Sequence, residues 1–170
     1  MSTALFAAAI VRQFTGWWWL AAAIGKLRAW PGLRTDLVSS FGIAAPLAAV
    51  LAPALVAVEL AAAAMVLGLA PDAGMLLSFV LMATFTAVAG YQFQARASVR
   101  CSCFGASTRP LSGFDLLRNG LVLLLIGAWL GALPAGSLPV GETLLAAAFG
   151  VLLCVAAVNF HDIAVTAGTA

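Results

Sequence analysis

Two cysteines separated by one residue, Cys101 and Cys103, are the side chains of this sequence best suited to do chemistry. A disulfide between them would close a very small ring, and geometry outside the relaxed range stores strain. Strained, accessible disulfides have high reduction potentials and exchange readily. Arg100 precedes the pair and favours the thiolate that attacks during exchange. Gly105 follows it and lets a partner approach closely. The pair therefore predicts thiol–disulfide exchange.

Two other uses of these cysteines are weighed against exchange. Inert thiols in a reduced compartment are a minority alternative. A zinc or copper site is less favoured, because such sites need more ligands and His161 is the only histidine. We predict no metal site. The third cysteine, Cys154, is either a resolving thiol or a small packing residue in an apolar segment, and packing is favoured.

The composition is that of an integral membrane protein. Hydrophobic residues make up 64% of the 170 residues, charged residues make up 8%, and the mean hydropathy is +1.11. Soluble domains carry about a quarter charged residues. A net charge of +2 gives no indication of nucleic-acid binding. No cofactor fingerprint is recognisable, a quinone is possible but unsupported, and a single histidine makes hydrolase chemistry improbable.

Apolar stretches near the ~20 residues that cross a bilayer predict an all-α, polytopic transmembrane bundle. It forms a single domain with a four-helix core and a fifth helix. Pro71–Gly74 is predicted to be a tight turn between antiparallel helices. Ser112 and Asp115 predict a capping box at the start of the fourth helix. The five predicted helices are Leu5–Ile24, Pro46–Leu69, Met75–Phe93, Leu116–Leu133 and Thr143–Asn159.

The distribution of charge predicts the orientation in the cell membrane. Lys26, Arg28 and Arg34 follow the first helix, and four more arginines lie between the third helix and the start of the fourth. The turns on the other face contain Asp72 and Glu142 and neither lysine nor arginine. The positive-inside rule therefore predicts that the cysteine loop is cytoplasmic and the N-terminus outside.

Arg12 and Glu59 are ionisable residues inside predicted helices. Counted from the helix ends at Ile24 and Pro46, each lies roughly 18–20 Å from the cytoplasmic boundary. An unpaired charge at that depth is costly. We therefore predict that Arg12 and Glu59 pair, or that Glu59 is protonated. Such a group is either a proton partner for thiol chemistry or a contact that locks two helices.

Four features together resemble the MauE family of methylamine-utilisation membrane proteins, which is distantly similar to DoxX-like proteins. They are Lys26, Glu59, the Cys101–Gly105 loop and Leu117–Asn119, and the resemblance covers roughly the first four helices. The resemblance implies a thiol–disulfide oxidoreductase or electron conduit that works with a thioredoxin-like partner. Family members are implicated in maturing the disulfide-rich small subunit of methylamine dehydrogenase.

The resemblance also bears on the residues that support the cysteines. It favours Arg118 and Asn119 as organisers of the cysteine loop. Lys26 and Arg118 either snorkel to lipid headgroups or hold that loop electrostatically. Disulfide chemistry outside the cell would be simplest with outward-facing cysteines. Either the loop therefore serves the far side through the bundle, or the protein collects reducing equivalents at the cytoplasmic face.

Two further functional classes remain open beside the oxidoreductase. One is a non-catalytic membrane assembly factor whose helices hold a partner enzyme. The other is a metal- or solute-handling protein that uses its thiols as soft ligands. In all three classes the lipid bilayer is the surrounding medium.

Overall fold

The structure is a computed structural model that describes residues 3–39, 42–95, 111–134, 136–160, 163 and 166. This part of the chain is helical and contains no strand, which confirms the predicted all-α class. A π-helical turn, Met65–Leu69, extends the third helix. The helices are α1 (Thr3–Arg28), α2 (Trp30–Ser39), α3 (Ala45–Ala64), α4 (Pro71–Ala95), α5 (Gly113–Ala132) and α6 (Val140–Val158).

Four helical segments of the described chain are long and apolar enough to cross a membrane. They are α3 with its π-helical turn, α4, α5 and α6. The protein is therefore a multi-pass membrane protein. Helix α1 is outside this set, because Arg12, Gln13 and three consecutive tryptophans lower its hydropathy. Its 26 residues span roughly 39 Å, which exceeds the ~30 Å hydrocarbon core.

Helix α1 lies in the middle of the bundle and contacts every other helix. Its most extensive interface is with α6, and the next is with α3. The two glycines that lie closest to the backbone of a neighbouring segment are in α6 and α4. A Cβ on Gly150 would lie 2.7 Å from the Phe14 nitrogen, and one on Gly74 would lie 2.6 Å from the Val66 nitrogen. Small residues at these crossings let the backbones approach closely, as in other membrane bundles.

The segment after α1 is helical, although it lies outside the five predicted helices. Backbone hydrogen bonds from Ala29 to Gly25 and from Leu33 to Ala29 carry the helical pattern past Arg28. Leu33 is buried and packs in a cluster with Ala52 and Val56 of α3. Helix α2 therefore continues the path of α1 and covers the first half of α3.

The predicted tight turn at Pro71–Gly74 is instead the first turn of α4. Ala70 alone separates the π-helical turn from α4, and it has an extended backbone (φ −159°, ψ 77°). Proline suits the first position of a helix, because that position needs no N–H donor. In the predicted break before the last helix, Leu133 has a left-handed backbone conformation (φ 38°) and Gly136 also has a positive φ of 118°.

Candidate functional site

Lys26 of α1 and Glu59 of α3 form a buried ion pair. The Lys26 Nζ donates a hydrogen bond to the Glu59 Oε1 over 2.7 Å. The lysine side chain is 5% exposed and the glutamate side chain is fully buried. Lys26 Nζ also lies 5.9 Å from the centroid of the Phe85 ring on α4. Lys26 therefore does not snorkel to the lipid surface, and the pair joins α1 to α3.

The predicted pairing of Arg12 with Glu59 is wrong. The depth estimate treated Ile24 and Pro46 as helix ends at one boundary, but α1 and α2 continue well past Ile24. The packing of α2 along the first half of α3 shifts the register of α1 against α3. Glu59 therefore lies beside Lys26, and Arg12 lies roughly 21 Å further along α1.

A small cavity lies beside the ion pair. Its volume is about 20 Å³, which is enough for about one water molecule. Among the described residues, the second carboxylate oxygen of Glu59, Oε2, is buried and accepts no hydrogen bond. Asn119 of α5 also lines the cavity, so the ion pair and α5 share this space. The remaining lining residues are Trp18, Trp19, Ala22, Lys26, Met82 and Phe85.

The first two turns of α5 hold a second set of buried polar groups. Ser112 is the N-cap, and its backbone N–H and hydroxyl donate to Asp115 Oδ2 over 3.0 and 2.9 Å. This confirms the predicted cap. Arg118 lies 3.6 Å from Asp115 and donates to the Asn119 Oδ1 over 3.1 Å. Its guanidinium also lies 5.4 Å from the centroid of a Trp18 ring.

Arg118 is only 4% exposed, so it does not reach the lipid headgroups as a snorkelling side chain would. Asp115 was not predicted as its partner, although a spacing of three residues on a helix brings the two side chains to one face. Trp18 was not predicted either, because only the packing of α5 against α1 brings that ring to Arg118. Both contacts fix the side chain of Arg118 at the start of α5.

The predicted catalytic residues Cys101 and Cys103 lie outside the described residues, as do Arg100 and Gly105. The segment that carries them joins α4 to α5 and precedes Ser112 in the chain. In the described part of the chain, no group of three or more histidine, cysteine or acidic side chains could hold a metal ion.

Cys154 of α6 is a free thiol and is 5% exposed. It belongs to the main hydrophobic cluster of the bundle. Just after α6, the Phe160 ring lies 6.4 Å from the Phe114 ring at the start of α5. Cys154 therefore lies towards the end of the bundle at which α5 begins, in packed apolar surroundings.

These features define a class of protein: a multi-pass helical membrane protein with two buried ion pairs where α1, α3 and α5 meet. A family model described as methylamine utilisation protein MauE matches residues 4–133. The chain belongs to the MauE family, as the four sequence features indicated. The match ends just after α5, so α6 lies beyond it. No curated protein and no solved structure matches the chain significantly.

Proposed function

We propose that this protein is a membrane thiol–disulfide oxidoreductase or electron conduit that uses Cys101 and Cys103. It works with a thioredoxin-like partner in the maturation of disulfide-containing proteins. The family match supports a role related to methylamine utilisation. We place the protein in the inner membrane, with the N-terminus outside and the cysteine loop on the cytoplasmic side, on the strength of the positive-inside rule.

The observation that carries the proposal is that two buried ion pairs lie near the start of α5. Lys26–Glu59 and Asp115–Arg118 place four ionisable side chains inside a bundle whose core is mostly apolar. Ionisable groups at such positions are costly and are usually kept for function. The cysteine-bearing segment joins the bundle at this same helix start. Arg118 and Asn119 are buried at this helix start, which supports a role for them in holding that segment.

The chemistry is a two-step exchange. The thiolate of one cysteine attacks a sulfur of the partner's disulfide, the partner's S–S bond breaks, and one partner thiolate leaves. The second cysteine then attacks the mixed disulfide and releases the other partner thiolate. The Cys101–Cys103 pair is oxidised by two electrons, and the partner's disulfide is reduced to a dithiol that takes up two protons. The reverse sequence oxidises the partner.

Single substitutions test this exchange by trapping its intermediate. Cys101→Ser or Cys103→Ser removes the thiol that would resolve the mixed disulfide. We expect one of these variants to accumulate a covalent adduct with a thioredoxin-like protein that is released by dithiothreitol. Cys154→Ser is the matched control, because that thiol is buried in the apolar core. It should behave as the wild type and trap nothing.

Two other outcomes would contradict the proposal. A Cys101→Ser/Cys103→Ser double variant that retains wild-type function, with no adduct in either single variant, would indicate a non-catalytic assembly factor. Stoichiometric metal in the purified protein, lost in the double variant, would indicate metal handling by the thiols.

A further inference from the structure

A second polar site lies at the other end of α1, well away from the Lys26–Glu59 pair. It is a pocket of about 200 Å³ between the N-terminal half of α1, the end of α5 and the turn before α6. This turn joins two membrane-spanning helices, so it lies at the membrane surface. The lining residues are Leu5, Ala8, Ala9, Arg12, Trp129, Pro134, Gly136, Ser137, Leu138 and Thr143.

Arg12 is the cation of this pocket, and its side chain is half-buried. Its Nε is buried and makes no hydrogen bond within the described part of the chain. None of the lining residues is acidic. A half-buried guanidinium with no counter-ion among the described residues is costly beside a hydrocarbon phase. The site therefore lacks the anion that its own residues would bind.

The chemistry of the lining identifies the class of anion. A guanidinium presents a planar set of donors that matches the oxygens of a phosphate group. The exposed hydroxyl of Ser137 at the rim can donate a further hydrogen bond. Leu5, Trp129 and Leu138 supply apolar walls. The volume is below the ~300–1,000 Å³ of pockets that enclose drug-sized molecules, so it suits a group of headgroup size.

We propose that the Arg12 pocket binds a phosphate group, with the guanidinium of Arg12 as its counter-ion. Two sources carry this group at a membrane surface: the headgroup of an anionic phospholipid and free inorganic phosphate. The apolar walls suit the glycerol and first acyl carbons of a lipid. The site is independent of the cysteines, and neither partner in the thiol exchange is required for it.

Native mass spectrometry of the purified full-length protein in detergent tests the proposal. Dioleoylphosphatidylglycerol is titrated in one arm and inorganic phosphate in the other. We expect one lipid to bind the wild type about tenfold more tightly than Arg12→Gln, since one charge-assisted contact is lost. Arg34→Gln removes an exposed arginine of α2 and should bind as the wild type does.

Two more variants cover the case in which Arg12→Gln does not fold. Arg12→Lys keeps the charge but loses the planar set of donors, so its affinity should lie between those of the wild type and Arg12→Gln. Ser137→Trp alters an exposed rim position and should weaken binding by blocking the mouth of the pocket. Arg12-dependent binding of phosphate alone, as tight as that of the lipid, would identify the soluble anion as the source. Equal affinity of the wild type, Arg12→Lys and Ser137→Trp for both probes would overturn the proposal.

Discussion

The Lys26–Glu59 contact is the clearest case of a single pair of residues that fixes how two helices meet. Both side chains are buried, and their 2.7 Å hydrogen bond bridges α1 and α3. Both charges are shielded from bulk solvent, so each depends on the other. The Oε2 of Glu59 has no hydrogen-bond partner among the described residues, and Glu59 lines a cavity that can hold about one water molecule. The pair can therefore act as a structural lock, as a proton-exchanging group, or as both.

The lock is tested by a double-mutant cycle. We expect Lys26→Met to reduce the free energy of unfolding by about 3–5 kcal/mol, because it leaves the Glu59 carboxylate buried and uncompensated. The Lys26→Met/Glu59→Leu double variant should lose much less, since it removes both charges. Thermal unfolding in detergent, followed by circular dichroism, measures both. Arg34→Met, at an exposed position, is the control. If the effects of Lys26→Met and Glu59→Leu, each measured alone, add up to the effect of the double variant, the two side chains do not interact directly.

The proton-exchange role is tested by Glu59→Gln. The amide keeps a similar shape and accepts the Lys26 hydrogen bond through its oxygen, but it cannot exchange a proton. We expect a variant that assembles normally and has a slower thiol-exchange rate with a changed pH profile. Asn119→Asp, on the far side of the same cavity, is a useful comparison because it introduces an ionisable group there. If the Glu59→Gln protein assembles and keeps the wild-type rate and pH profile, Glu59 has no role in proton exchange and serves only to lock the two helices together.

At the scale of helices, the packing of α6 on α1 explains how a helix beyond the matched family region becomes part of the bundle. Gly150 lies directly against the backbone of Phe14 and the Cβ of Gln13. The Phe6 and Phe149 rings, with centroids 6.5 Å apart, extend this interface towards the start of α1. The α6 helix therefore covers the face of α1 that carries Gln13, and it shields this polar side chain from lipid.

Glycine substitutions in two helices test this interface. Gly150→Ala would place a Cβ 2.7 Å from the Phe14 nitrogen, so α6 must move away, and we expect a destabilisation of roughly 1–3 kcal/mol. Gly120→Ala in α5 is the matched control, because no atom lies within 4 Å of its added Cβ. It should be neutral or stabilising by about 0.5–1 kcal/mol through helix propensity. If both substitutions shifted the unfolding midpoint in the same direction from that of the wild type, the close crossing of α6 and α1 would be contradicted.

At the scale of the whole molecule, the bundle has two polar sites at different depths. The Lys26–Glu59 pair and the start of α5 lie near one end, and the Arg12 pocket lies near the other. The cysteine segment joins the first of these ends, and the turn before α6 marks the second. In the orientation proposed from the distribution of charge, the two sites therefore lie towards opposite sides of the membrane.

Labelling with a membrane-impermeant thiol reagent tests this orientation in intact cells and in inverted vesicles. We expect Cys101 and Cys103 to react in inverted vesicles only, because they lie on the cytoplasmic side in the proposed orientation. Ser137→Cys, in a protein without the native cysteines, is the internal control and should react in intact cells. Labelling of the native pair in intact cells would reverse the proposed topology and favour disulfide chemistry outside the cell.

The sequence by itself determined the class of the protein, the family and several local features. A stretch of about 20 apolar residues predicts a membrane-spanning helix whatever its neighbours in the fold are. The Ser112–Asp115 cap depends only on residues three positions apart in the chain. Lys26, Glu59, Arg118 and Asn119, on which the resemblance to the family rested, are all buried in the bundle. Such signals are local or compositional, so they need no knowledge of how the helices pack.

The tertiary structure alone decided which of these residues meet. Glu59 pairs with Lys26 and not with Arg12 because α2 continues α1 as a helix, and this sets the register of α1 against α3. Arg118 meets Trp18 through the packing of α5 on α1. The pocket at Arg12 exists because the turn before α6 folds over the first helix. Each of these contacts joins residues far apart in the chain, and their spacing in the sequence carries no information about the crossing of two helices.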